Sequence, residues 1–224
     1  MLNDLKSPNQ KTTHLLSILS AAANTPYIGE PVSQLEHSLQ CAYLAAVSSP
    51  ASDDETIVAS LLHDVGQFIP PENLDAILGQ NYGQIIDMID LEHKSINPGP
   101  STASKSSKSV GRISHETLGA KYLTILGFPV KVTRLVEAQV TAKRYLCAVD
   151  PEYHGKLSDA SKKSLEFQGG PMTGKERDDF ESNPWCEDMC RLRRWDDEAK
   201  VTGLDVPGLE SYREMVEKVL ESVR

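Results

Sequence analysis

Apolar residues recur at helical spacing along almost all of the 224-residue chain, and no segment shows the sustained two-residue alternation that is typical of strands. This spacing predicts an all-α fold, in which amphipathic helices bury their apolar stripes against one another. The chain is long enough to bury a core without disulfides or a structural metal. A metal ion bound to this protein would therefore serve its function.

The helix boundaries can be read from caps and prolines. The first clear helix is predicted to open with Pro31 at its first position, and the next to start after Ser52. A long helix is predicted to run from Pro129 to about Ala148, and Thr173 begins a capping-box pattern. A final amphipathic helix is predicted at about 207–224.

The predicted domain organisation is one helical-bundle domain over residues 1–224, with its core at about 27–201. Between about 95 and 112 the composition shifts to Ser, Pro, Gly and Lys, which cannot bury enough apolar surface to order itself. We expect a flexible insertion loop there, and a helix from Gln84 to Glu92.

Charge and hydropathy limit the partners of the protein. Its formal net charge is −9 and its pI is near 5.2, whereas nucleic acids and anionic membranes require clustered Lys and Arg. No apolar run approaches the roughly 20 residues of a membrane span, and the N-terminus lacks the pattern of a signal peptide. We therefore expect a cytoplasmic protein with neither nucleic acid nor membrane as a partner.

The strongest functional signal is the adjacent pair His63-Asp64 at the end of an apolar predicted helix. Imidazole and carboxylate groups are ligands for Zn, Mn, Fe and Mg, and neighbouring positions let both reach one ion. Such a site needs further donors from other helices. His37, His115 and Asp196 each lie at or near the apolar stripe of a predicted helix, so they are the candidates.

These residues resemble the pattern of the HD-domain superfamily: an upstream His, an adjacent His-Asp pair and a downstream Asp. Outside the segment 95–112, several blocks between about 27 and 201 resemble one branch in particular, the HD-domain phosphonate oxygenases. These are mixed-valence di-iron enzymes that cleave the carbon–phosphorus bond of 1-hydroxy-phosphonates, such as the hydroxy-aminoethylphosphonate and hydroxy-trimethylammonioethylphosphonate dioxygenases, and are distantly similar to myo-inositol oxygenase. The matching blocks are Tyr27-Ile28-Gly29-Glu30, Gln34-Leu35-Glu36-His37, His115-Glu116, Gly119-Ala120-Lys121-Tyr122-Leu123, Ala142-Lys143-Arg144-Tyr145-Leu146, Gln168-Gly169-Gly170-Pro171 and Arg193-Arg194-Trp195-Asp196-Asp197.

The resemblance implies a pair of iron ions. One would be held by His37, His63, Asp64 and Asp196, and Asp64 would bridge to a second iron held by His115 and one more histidine. A bridging carboxylate fixes two hard cations close together, while neutral imidazoles leave positions open for substrate oxygen and dioxygen.

The position expected for that last histidine holds Gln139 instead. Three interpretations follow. Gln139 can be a working oxygen ligand, weaker and harder than imidazole; it can be a lesion that leaves one metal or an inactive protein; or His93, from the segment before the insertion, can replace it.

Two cationic side chains fit an anionic substrate. Lys143 lies one helical turn after Gln139, and Arg193 lies three residues before Asp196, so each can share a face with a candidate ligand. Both suit a phosphonate or carboxylate dianion. Further candidates for substrate contact are Gln67, Ser161 and Ser164. By resemblance, Tyr27 and Glu30 close over the substrate, with Glu30 near its amino or ammonium end.

These observations predict a non-haem iron oxygenase. It would use dioxygen on a small hydroxylated anion such as a 1-hydroxy-phosphonate, abstract the hydrogen at the hydroxyl-bearing carbon and cleave the carbon–phosphorus bond. A metal-dependent HD phosphohydrolase is one alternative, since it needs only His37, His63, Asp64 and Asp196. A diverged, non-catalytic module that binds an anion or a partner is another, because of Gln139.

Overall fold

The computed structural model describes residues 2–27, 30–78 and 115–223. Within these ranges it has twelve α-helices and no β-strand, which confirms the all-α helical bundle. The predicted insertion at 95–112, the predicted helix Gln84–Glu92 and His93 lie outside the described residues. The helices are α1 (Pro8–Ala21), α2 (Gln34–Ala46), α3 (Asp54–Leu62), α4 (Pro71–Leu78), α5 (His115–Leu126), α6 (Val130–Glu137), α7 (Gln139–Val149), α8 (Tyr153–Lys156), α9 (Asp159–Phe167), α10 (Gly174–Glu181), α11 (Cys186–Glu198) and α12 (Arg213–Glu221).

Helix α3 is the centre of the bundle. Every residue from Thr56 to Leu62 is buried, because the helix is apolar on nearly all sides and packs against α2, α6, α11 and α12. Helices α5 and α6 pack on each other, and α7 packs on α11. The ends of α3 and α11 and the start of α2 therefore approach one another inside the bundle.

Two helix starts differ from the sequence prediction. Helix α2 begins at Gln34, because Ser33 and Glu36 form a capping box. The prediction that Pro31 occupies its first position was wrong. Helix α1, which was not predicted from the sequence, also begins with a capping box, formed by Ser7 and Gln10.

The predicted long helix after Pro129 is interrupted at Ala138, where α6 ends and α7 begins. Gln139 is consequently the first residue of a new helix. At Thr173 the side chain makes no capping hydrogen bond, although α10 does begin there. The final helix is shorter than predicted, with a 3-10 turn at Leu209–Tyr212 before α12.

None of the helices in the described ranges combines the length and apolar character that crossing a membrane requires.

Candidate metal centre

Three helix ends bring the predicted ligands together. His37 lies in the first turns of α2, His63 and Asp64 follow the last residue of α3, and Asp196 lies in the last turn of α11. The side chains of His37 and His63 are fully buried, and those of Asp64 and Asp196 nearly so. The cluster is therefore part of the interior of the bundle.

Backbone carbonyls fix the orientation of both buried histidines. The Nδ1 of His37 lies 2.9 Å from the carbonyl oxygen of Ala199, and the Nδ1 of His63 lies 2.8 Å from that of Ser60. A neutral imidazole that donates from Nδ1 has its lone pair on Nε2. The two Nε2 atoms are 3.0 Å apart, so two lone pairs converge on one point. That arrangement requires a proton or a metal cation between or beside them.

Carboxylate oxygens complete this convergence. Asp196 Oδ1 lies 3.3 Å from His37 Nε2, and Asp64 Oδ2 lies 3.7 Å from the same atom and 3.5 Å from His63 Nε2. Within the described part of the chain neither oxygen has a hydrogen-bond partner. A buried, unpartnered anionic oxygen is costly unless a cation compensates it. One ligand atom each from His37, His63 and Asp196 lie within 4.8 Å of one another, so the donor set fits a divalent metal ion.

The other oxygen of Asp64 faces a fourth element. Asp64 Oδ1 lies 3.2 Å from Nε2 of His115, the first residue of α5. Helix α5 reaches this position because it crosses the turn after Asp64 at a glycine: a Cβ on Gly66 would stand 1.9 Å from the carbonyl oxygen of His115. Asp64 therefore has one oxygen toward His37 and His63 and the other toward His115, as a bridging carboxylate does.

The electrostatics of the cluster favour ionised carboxylates. Burial alone would raise the pKa of Asp64, but the neighbouring imidazoles of His63 and His115 hold it below the usual range. Burial likewise opposes ionisation of Asp196, and the charge of Arg193 nevertheless keeps the pKa of Asp196 well below its ordinary value. Both acids are thus available as anionic ligands.

Arg193 is committed to the acids of its own helix. Its guanidinium pairs with Asp196 Oδ2 at 2.5 Å and with both oxygens of Asp197. The hydroxyl of Tyr153 accepts a 3.3 Å hydrogen bond from Arg193 Nε and donates to Asp197. Arg193 lies beside the centre and in this arrangement orients Asp196. Its predicted role in substrate binding stays a prediction. Tyr153 and Asp197 were not predicted as site residues, since side-chain hydrogen bonds between α8 and α11 bring them together.

Lys143 is the buried cation on the neighbouring helix. It is only 4% exposed, and its Nζ donates a 2.7 Å hydrogen bond to the hydroxyl of Ser164. Burial, assisted by the charge of Arg193, lowers the pKa of Lys143 to about 8. The structure thus joins Lys143 and Ser164, two of the predicted substrate contacts.

Two other predicted contacts occupy different positions. Ser161 lies in the first turn of α9, where its backbone amide and hydroxyl bond to Ser158, the cap of that helix. Gln67 lies in the 3-10 turn after α3, and its backbone amide donates to the carbonyl of Asp64. A substrate-binding role for either side chain stays a prediction.

Gln139 is 3% exposed, and neither atom of its side-chain amide has a hydrogen-bond partner among the described residues. Buried amides are nearly always satisfied. Gln139 precedes Lys143 by one helical turn, so both occupy the buried face of α7. Among the described residues, the side-chain amide of Gln139 is therefore available to a bound ion or substrate.

Tyr27 covers one side of the cluster, and Glu30 lies three residues after it. The ring of Tyr27 stacks on His37 with centroids 4.0 Å apart. The carboxylate of Glu30 pairs with Lys200 at 3.4 Å, and the Lys200 ammonium lies 5.8 Å from the centre of the Tyr27 ring. Lys200 was not identified from the sequence, because no motif links it to a segment so far away along the chain.

The fold and the cluster define an all-α protein with a buried site of metal-ligand type. No protein-family model matches the chain. It is 38% identical over 216 residues to hydroxymethylphosphonate dioxygenase of Gimesia maris, covering 96% of this chain and 91% of that protein. It is 33% identical over 204 residues to the glycine-betaine-forming 1-hydroxy-2-(trimethylamino)ethylphosphonate dioxygenase of Leisingera caerulea, covering 91% of this chain and 87% of that protein. An uncharacterised protein of Acanthamoeba polyphaga mimivirus is 29% identical over 221 residues.

The chain therefore belongs to the phosphonate dioxygenase branch of the HD-domain superfamily, as its motifs predicted.

Proposed function

We propose that this protein is an iron-dependent dioxygenase that cleaves the carbon–phosphorus bond of a small 1-hydroxy-phosphonate. One dioxygen would convert R–CH(OH)–PO₃²⁻ into a carboxylate R–COO⁻, hydrogen phosphate and one proton. The carbon is oxidised and dioxygen is reduced, so no further co-reactant is needed. The names of two relatives support this substrate class, and the product name of the second supports a carboxylate product.

We propose that the ligands form two unequal halves. The closed half, His37, His63, Asp196 and Asp64 Oδ2, would hold one iron tightly; the open half, Asp64 Oδ1, His115 and the Gln139 carbonyl, would hold a second ion weakly. Bound iron would supply the one-electron and dioxygen chemistry that side chains lack. Support for the closed half comes from its converging, unpartnered donor atoms.

Lys143 and Ser164 would bind the phosphonate. The ammonium is a compact point charge of the kind that binds phosphate oxygens, and Ser164 fixes its position. Because α7 packs on α11, a phosphonate bound by Lys143 would lie beside α11, with its hydroxyl-bearing carbon toward the ligand cluster. Tyr27, stacked on His37, would cover the bound substrate and limit the access of water.

The observation that carries this proposal is the meeting of two imidazole Nε2 atoms 3.0 Å apart beside two unpartnered carboxylate oxygens, in a relative of phosphonate dioxygenases. The test is anaerobic loading with ferrous iron, followed by addition of hydroxymethylphosphonate and measurement of phosphate and oxygen. We expect one phosphate for each dioxygen consumed, and no phosphate when oxygen is excluded.

Two results would contradict the oxygenase. Phosphate released from phosphomonoesters without oxygen would indicate a phosphohydrolase, which the four ligands of the closed half could support on their own. Tight phosphonate binding with no turnover under any metal would indicate a non-catalytic anion-binding protein.

A further inference from the structure

An ion pair lies beside the candidate site and belongs to none of the predicted ligands. Glu30 Oε1 and Lys200 Nζ are 3.4 Å apart, and their side chains are only 15% and 13% exposed. The pair joins the segment before α2 to the segment after α11. Because it is largely shielded from solvent, its charges act more strongly on a neighbouring group than those of a surface pair would.

Each member of the pair is linked to the candidate ligand His37 through a residue close to it in the chain. On one side, the Tyr27 ring stacks on His37, and the backbone amide of Glu30 donates a 3.0 Å hydrogen bond to the Tyr27 carbonyl. On the other side, the carbonyl of Ala199, which precedes Lys200, lies 2.9 Å from His37 Nδ1. The pair therefore has a fixed position relative to the metal ligands.

The segment that carries Lys200 is held on its other flank as well. The side-chain amide of Gln40 donates to the carbonyl of Val201 at 2.8 Å, and its oxygen accepts from the Val201 amide at 3.0 Å. The backbone next to Lys200 is thus held in place near Glu30. Its ammonium also lies over the face of Tyr27, a favourable position for a cation.

This arrangement changes what Glu30 can do. An unpaired carboxylate beside Tyr27 would attract a substrate with a positively charged substituent. Here Lys200 already neutralises that carboxylate, and an incoming ammonium group would meet the Lys200 charge at close range. Like charges brought together in a shielded site oppose binding, and this is a common source of specificity.

The two named relatives differ in the charge of the substituent on the substrates in their names. The substrate named for one carries a trimethylamino group, and the substrate named for the other has only a hydroxymethyl group. Membership of the branch alone therefore does not decide which kind of substrate this chain takes.

We propose that Lys200 is a specificity-determining residue, which by neutralising Glu30 makes the protein select hydroxy-phosphonates without a cationic substituent. The proposal rests on the proposed function for the existence of a phosphonate site. If the phosphonate binds at Lys143 on α7 and Tyr27 covers the substrate, as proposed above, the substituent on the hydroxyl-bearing carbon would face Tyr27 and the neighbouring Glu30–Lys200 pair. A hydrogen or a small neutral group fits there without displacing the ion pair.

The test compares two probes, hydroxymethylphosphonate and 1-hydroxy-2-aminoethylphosphonate, on the iron-loaded full-length protein. The readout is the ratio of their kcat/KM values, because a general loss of folding or iron affects both alike. We expect the native protein to favour hydroxymethylphosphonate by about tenfold or more. Lys200→Met keeps the length of the side chain and frees Glu30, so it should shift the ratio toward the amino substrate by about tenfold.

Two further variants make the result specific. Glu30→Gln leaves Lys200 as an unpaired cation and should shift the ratio further toward hydroxymethylphosphonate. Lys175→Met removes the lysine of an exposed pair with Asp179 on α10 and should leave the ratio unchanged. Equal use of both probes by the native protein, or a ratio that Lys200→Met does not move, would overturn the proposal.

Failure of the proposed function would look different. If no variant releases phosphate from either probe, the oxygenase assignment fails, but anaerobic calorimetric titration still compares the affinities of the two phosphonates. The same preference in binding, reversed by Lys200→Met, would support the role of Lys200. Equal affinities in both proteins would overturn it.

Discussion

The closed half and the open half of the centre are built in different ways. In the closed half, His37 and His63 are completely buried and each has its Nδ1 fixed by a backbone carbonyl. In the proposed open half, the side chain of His115 is 25% exposed, and the position where the resemblance implies another histidine holds Gln139. Asp64 is shared by the two halves.

This structural difference predicts that the two halves would bind a metal ion with different affinities. Backbone acceptors that orient an imidazole act before any metal arrives, so the closed half is preorganised. In our proposal the open half would depend on the first residue of α5 and on a neutral amide oxygen, which is a weaker ligand for iron than imidazole. We therefore expect the two halves to differ in affinity, and the following changes should weaken or strengthen them separately.

The largest effect is expected in the closed half, from Asp196→Asn. It keeps the shape of the side chain but removes the negative charge that faces His37 and that Arg193 orients. Tight iron binding should weaken at least about 100-fold, as measured by anaerobic dialysis and elemental analysis. Glu198→Gln, an exposed change on the same helix, is the control and should retain iron. Undiminished iron in Asp196→Asn would show that the closed half is wrongly assigned.

The next largest effect is expected from a change at Gly66, where the backbone of His115 approaches closely. Gly66→Ala would place a Cβ 1.9 Å from the His115 carbonyl, so α5 must move away from Asp64. We expect a loss of about 2 kcal/mol in the free energy of unfolding by urea, because the close packing admits no extra methyl group.

Gly155→Ala is the matched control, since a Cβ there meets nothing within 4 Å. It should be neutral or stabilising by about 0.5 kcal/mol, as expected for alanine in a helix. Equal stabilities of the two variants would contradict the close approach of α5.

Gln139→His should strengthen the open half without touching the closed half. The new imidazole would start α7 on the same buried face as Lys143. We expect the weaker iron affinity to rise about tenfold or more, while the tight site stays unchanged, in anaerobic titrations. No change in the weaker affinity would mean that residue 139 does not face the second ion.

The smallest effect is a pH dependence at Lys143, whose pKa burial lowers to about 8 from an ordinary 10.5. Below about 8 the side chain is an ammonium that binds the phosphonate, and above it the charge is lost. Affinity for hydroxymethylphosphonate should fall about tenfold between about pH 7 and pH 9. Lys143→Arg stays charged over this range, so its affinity should change little. A native affinity independent of pH up to 10 would refute this role of Lys143.

Much of the site could be predicted from the sequence because its ligands lie in short motifs. The pair His63-Asp64 ends an apolar helix, and helical spacing placed His37 and Asp196 on buried faces. The commitment of Arg193 to Asp197 and Tyr153, and the pairing of Glu30 with Lys200, arise only from tertiary packing between distant segments.

The fold, too, could be predicted in part from the sequence. Periodicity predicted an all-α bundle, but local chemistry decided where its helices begin and end. The capping box at Ser33 determined the start of α2 in place of Pro31. No Gly or Pro marks the interruption at Ala138, so the sequence gives no signal for it. Helix α6 packs mainly on α5 and α3, whereas α7 packs mainly on α11.

The inequality of the two halves is tested most directly by titrating the metal-free protein with ferrous iron under anaerobic conditions and measuring bound iron at each step. Our account predicts one tightly bound ion per chain and a second bound at least about tenfold more weakly. Two ions of equal, high affinity, or no tightly bound ion at all, would contradict it.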